Sequence, residues 1–130
     1  MKSIDALLDR KYDPEKYHCV HFLIEAAEYL LGLDYSESFI GLTSSLHETL
    51  QTSRHTATRN KQIKEPLNGT IVLMTNMHQS SHVGLFYCGR VLHLTDMGVH
   101  FLPLITIQRF HKRIRYYEPI THSKEPAEWW

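Results

Sequence analysis

The sequence predicts an α+β domain, helices first and an antiparallel sheet after, and three observations carry that reading. Apolar residues recur at helical spacing from Val20 to Leu31, strand-like runs fill most of the chain after Gly69, and Cys88-Gly89 supplies a tight-turn pair between two of those runs. The chain has 130 residues and is 42% hydrophobic, which fits one domain over residues 1–130; two domains would leave neither half enough to bury.

The first helix is expected from Val20, Leu23, Ala27, Leu30 and Leu31, with Gly32 placed where a left-handed C-terminal cap is wanted. Its start has two readings: at Tyr17 or His18, which puts Cys19 in the first turn, or at Pro14 after a capping Asp13, which puts Cys19 deeper. A weaker helical pattern uses Phe39, Leu42, Leu46 and Leu50 after Asp34 and Ser36, and the polar stretch from Gln51 to Lys64 reads as a surface connection. Pro66, Asn68 and Gly69 punctuate the chain before a buried strand, Thr70 to Met74. A polar loop from Asn76 to Ser81 leads to a hairpin of His82–Tyr87 and Arg90–Leu94. A bend at Asp96 to Gly98, a segment from Val99 to Leu104 and a last strand, Ile114 to Tyr117 before Pro119, complete a small sheet. Trp129-Trp130 reads as a tail or a packed cap.

Charge and cysteine usage narrow the function. Fourteen Lys plus Arg balance fourteen Asp plus Glu, so no overall field gathers the chain onto nucleic acid or an anionic membrane. The one basic cluster, Arg109 to Arg115 with Lys112 and Arg113, reads as a solvated face. Two cysteines, Cys19 and Cys88, make no disulfide framework and are expected free. No signal peptide or bilayer-length apolar run is legible.

The chemistry-bearing pair is Cys19, at the front of the first helical run, and His82, heading the first hairpin strand. A thiol of ordinary pKa, about 8.5, is mostly protonated at neutral pH, and a neighbouring base or an oriented dipole is needed to make it a nucleophile. His93 falls toward the same end of the hairpin as His82, where it can orient the His82 ring as the third group of a triad does. The oxyanion formed on attack needs a donor in place, worth about 3–4 kcal/mol, and the Cys19 amide is the first candidate. Zinc on His18, His21, Cys19, His82 or His93 is the competing reading. With ten histidines such coincidences come easily, and no Cys-x-x-Cys or His-Glu-x-x-His motif appears, so no metal and no cofactor are expected. His47, His55, His100 and His111 read as surface residues, and Cys88 as an incidental thiol.

Taken together, Tyr12, Tyr17-His18-Cys19-Val20-His21-Phe22, the segment Glu65 to Met74, His82-Val83-Gly84-Leu85-Phe86-Tyr87 running into Val91-Leu92-His93, and the closing Arg115-Tyr116-Tyr117 follow a known order. In these segments the chain resembles the NlpC-type cell-wall cysteine peptidases, in particular the compact form found with phage tail components. The resemblance implies a papain-like fold, Cys19 as nucleophile, His82 as base and acid, His93 as third member, and Tyr12, Tyr17 and His18 at the oxyanion and substrate site. It implies cleavage of an amide in peptidoglycan stem peptides, such as the bond between D-glutamate and the diamino acid, without cofactor, nucleic acid or membrane. Larger phage tail or delivery proteins are the implied partners, and action in the periplasm or cell wall after delivery by a phage particle or secretion machine is the implied route. The rival expectations are a non-catalytic tail or assembly component that keeps the fold, and a thiol acyltransferase, whose usual order places His before Cys.

Overall fold

A computed structural model describes residues 2–42 and 49–123 of the chain. The α+β expectation holds: a six-stranded, wholly antiparallel sheet carries helices on both faces. In chain order the elements are α1 (Cys19–Leu31), β1 (Leu33–Asp34), α2 (Thr49–Arg59), β2 (Lys61–Ile63), β3 (Ile71–Thr75), β4 (Ser81–Tyr87), β5 (Arg90–Thr95), β6 (Gly98–Pro103), α3 (Leu104–Phe110), β7 (Arg113–Glu118) and β8 (His122–Ser123). The large sheet runs β2-β7-β3-β4-β5-β6, and β1 pairs with β8 in a two-stranded ribbon.

α1 begins where the first of the two readings placed it. Asp13 and Tyr17 exchange backbone hydrogen bonds and the Asp13 carboxylate accepts from the Glu15 and Lys16 amides, so Asp13-Pro14 is spent on a turn. His18 is then the N-cap, its Nδ1 accepting from the Val20 amide, and Cys19 is the first helical residue. At the other end Gly32 adopts φ 68°, the left-handed cap that the sequence predicts. The helix buries Val20, Phe22, Leu23, Ala26 and Ala27 against β4 and β5. Removing side chains such as Phe22 and Leu23 from water stabilises the fold by about 1.5–3 kcal/mol each.

Two elements correct the sequence reading. The stretch read as a surface connection, Gln51 to Lys64, holds most of α2 and all of β2; among the described residues of α2 those buried are Thr52 and Thr56, with Ala57 packed against the core, so this part lacks the apolar stripe by which helices are recognised. Asn60 ends it, Nδ2 donating to the carbonyls of Ser38 and Thr56. The second, α3, occupies part of the basic cluster and rests Ile107 on the face of the sheet opposite α1. Leu46, His47 and the Trp129-Trp130 end lie outside the described residues, and among those described no helix is long and apolar enough to cross a membrane.

The β4–β5 hairpin turns at Cys88 (φ 52°) and Gly89 (φ 79°), the two left-handed positions of a tight primed turn. Strand alternation then sorts the side chains. Val83, Leu85, Leu92 and Leu94 join the core under α1, while Val72, Met74, Val91 and Ile107 form a second cluster under α3. Gly84 belongs to the α3 side, and a Cβ there would stand 2.8 Å from Val91 Cγ1 and 3.0 Å from both the Leu92 carbonyl oxygen and His93 Cβ. Gly84→Ala is therefore expected to destabilise the fold by about 1–3 kcal/mol, read as a lower urea midpoint at unchanged slope. An unchanged midpoint would show that β5 yields without cost.

Candidate active site

β4 and β5 pair only over Leu85–Leu92, Phe86–Val91 and Tyr87–Arg90. Beyond that register the ladder stops, and the start of β4 and the end of β5 border a cleft of about 410 Å³ lined by Tyr12, Cys19, Asn76, Ser81, His82 and Asp96 among others. The N-terminus of α1 sits at this opening, so the helix start delivers Cys19 to the cleft.

The thiol itself is 1% exposed. Burial pushes its pKa up to about 11, against the opposing effect of the backbone amides of Val83, Val20 and Cys19 itself, which favour a thiolate. Tyr12 borders the same cleft, and its hydroxyl is held above the ordinary tyrosine value by burial first, then by the charges of Cys19 and Asp96. It keeps its proton at neutral pH and remains a donor. Sequence reasoning missed Asp96, which it placed in a bend, and the Val83 amide, a backbone group with no sequence signature.

The expected pairing of Cys19 with the His82 imidazole is not formed. Val83 and Leu85 face α1, so His82, one residue out of step, turns to the α3 side with Met74, its β3 partner. Its ring lies 5.1 Å from that of His93 and 5.3 Å from that of His111, centroid to centroid. The juxtaposition of His82 and His93 expected from the hairpin is thus present, while the thiol is on the other side of the strand.

His100 and His111, read as surface residues, extend the pair into a row. The His93 and His100 rings stack at 5.0 Å, with His100 Nε2 2.8 Å from Thr95 Oγ1, and His111 Nδ1 lies 2.8 Å from the Ile107 carbonyl at the end of α3. In the middle, His82 Nε2 and His93 Nδ1 are buried without a hydrogen-bond partner among the described residues. Among the described residues no set of three or more His, Cys, Asp or Glu is placed to hold a metal ion.

Tyr17 and His18, expected at the oxyanion and substrate site, are not among the residues that line the cleft. His18 is fully buried as the cap of α1. The Tyr17 hydroxyl donates to the Glu25 carboxylate, which the Arg10 guanidinium also holds through Nε at 3.0 Å and Nη2 at 2.7 Å. Among the described residues neither cysteine forms a disulfide; Cys19 is buried and Cys88 is exposed at the hairpin turn.

Both central imidazoles are held below their ordinary value of about 6.5. Burial is the first cause for each; neighbouring histidine charges follow, and His82 falls to about 4 and His93 to about 2. The unfolded chain therefore takes up protons before the native one, and stability falls as pH drops from about 6.5 through about 4. Urea midpoints are expected to decline from pH 7 to pH 4.5, and less steeply in His93→Gln. A flat profile, or an identical decline in the variant, contradicts a buried neutral pair.

No family model, curated protein or solved structure matches the chain, so fold and site stand on its own residues.

Proposed function

We propose that the protein is a cysteine hydrolase that cleaves an amide in peptidoglycan stem peptides through an acyl-enzyme on Cys19. The observation that carries this reading is the placement of Cys19 at the first position of α1, bordering a cleft that opens where the β4–β5 ladder stops. A helix N-terminus offers unpaired amides to a thiolate, and the Val83 and Cys19 amides with the Tyr12 hydroxyl are suitable donors for a developing oxyanion. The choice of peptidoglycan rests on the resemblance of the segments around Cys19, His82 and His93 to the NlpC-type peptidases and on the papain-like fold it implies.

In this reading the present arrangement is a resting one. His82 borders the cleft from the far side of β4, at the end where β5 no longer pairs with it, and catalysis requires its ring to turn through that opening onto the thiol. The proton then passes from Sγ to the imidazole as Sγ attacks the carbonyl carbon. The imidazole returns it to the leaving amine, and water hydrolyses the thioester. His93, beside His82 on the same face, is the positioning residue.

A second reading, a non-catalytic tail or assembly component, is favoured by one observation: the buried thiol with a pKa near 11 and no imidazole on it is unreactive as it stands.

One experiment separates the two. In a Cys88→Ser background Cys19 is the sole thiol, and its alkylation rate is measured against pH with and without muropeptides, whose masses are followed in parallel. A hydrolase releases a new amine end, shows faster Cys19 alkylation near neutral pH once substrate opens the site, and loses turnover on the order of 10³-fold or more in Cys19→Ala and in His82→Ala. Intact muropeptides with alkylation confined to strongly alkaline pH would leave the structural reading.

A further inference from the structure

A second pocket, of about 290 Å³, lies on the α2 side of the sheet between α2, the end of β3 and the start of β7, lined by Ser53, Thr75, Ser81, Lys112, Arg113 and Arg115 among others. Among the described residues no carboxylate lines it and none of its three cations takes part in an ion pair. Alternation puts Arg113 and Arg115 on the same face as the buried Tyr117, their cross-strand partners on β3 being Thr75 and Leu73.

Arg115 is the informative member. Its Nη2 donates to Ser53 Oγ at 2.9 Å, while its Nε is buried with no hydrogen-bond partner among the described residues. The same chain displays the satisfied form of this edge: Arg10 uses Nε and Nη2 together to grip the Glu25 carboxylate. A buried guanidinium N–H left unpaired is costly, and a planar carboxylate is the group whose two oxygens match the guanidinium fork.

The pocket adjoins the Cys19 cleft. Ser81 lines both, and its Oγ lies 2.9 Å from Thr75 Oγ1, so this hydroxyl pair stands between the two spaces on one face of the sheet. We propose that the Arg115 pocket is a carboxylate-binding subsite, gripping a carboxylate of the ligand whose neighbouring amide enters the Cys19 cleft. Arg115 supplies the directional contact, and Arg113 and Lys112 supply charge. The link to a scissile amide rests on the hydrolase reading; the binding of a carboxylate does not.

The test uses the full chain carrying Cys19→Ser, which cannot turn over, titrated with N-acetylglutamate, with neutral N-acetylglutamine amide, in which both carboxyls are amidated, and with inorganic phosphate, while the Arg Nε–Hε resonances are followed by NMR. The expected result is a saturable shift of Arg115 Nε–Hε with N-acetylglutamate, absent with N-acetylglutamine amide and weaker with phosphate. Affinity should fall about tenfold or more in Arg115→Gln and fall with added salt. Ser53→Ala, which leaves the guanidinium in place, should retain the Arg115 shift with the carboxylate and keeps the proposal testable if Arg115→Gln does not fold. No saturable shift, equal binding of the neutral amide, or binding of phosphate in preference to the carboxylate overturns the proposal. A carboxylate shift in Cys19→Ser, alongside intact muropeptides with the wild-type chain, would sink the hydrolase reading and keep the subsite.

Discussion

The alternation of side chains along β4 is the constraint on which the rest of the structure depends. With Val83 and Leu85 committed to the core under α1, Ser81 must face the same side, and His82 and Gly84 must face α3. That single parity places a hydroxyl between two pockets, an imidazole in a histidine row, and a backbone amide beside the Cys19 thiol. Gly84 answers the same constraint, because the approach of Val91 and His93 leaves no room for a side chain.

At Cys19 two opposing effects meet, and their magnitudes decide the outcome. The field at a helix N-terminus favours a thiolate by about 0.3–1 kcal/mol near a surface, at most a roughly fivefold change in ionisation. Withdrawing an anion from water without a counter-charge costs several times more. The thiol sits at about 11, so burial wins, and the helix start alone does not make Cys19 a nucleophile. A cationic partner brought against the sulfur is the missing ingredient, and the neutral His82 imidazole, which lines the same cleft, is a group able to become one.

Much of the fold was legible because its signals were strong and local. The period of α1, the terminating Gly32, the Cys88-Gly89 turn and the order of β3, β4, β5 and β7 all follow from neighbouring residues. The adjacency of His82 and His93 follows from the hairpin for the same reason. What escaped was either weakly patterned or non-local. α2 buries threonines, α3 follows directly on β6 without a side-chain cap, and β1 and β8 are two residues each. The face on which His82 lies depends on which side of the sheet α1 covers, a tertiary fact that periodicity of two leaves undetermined. The subsite around Arg115 needs Ser53, Thr75 and Ser81 brought together from distant positions, and no spacing along the chain announces it.

The grip of Arg10 on Glu25, shared with the Tyr17 hydroxyl, ties the segment before α1 to the helix itself, with Leu7 inserted in the core just upstream. The segment is thereby part of the folded body: trimming the chain past Arg10 would leave the Glu25 carboxylate on α1 with the Tyr17 hydroxyl but without its cation, and a vacancy where Leu7 had been. The same tether fixes how the Tyr12 segment is held over the cleft, so the mouth of the site is framed by a stretch anchored on both sides, by Arg10 before it and by the Asp13–Tyr17 turn after it.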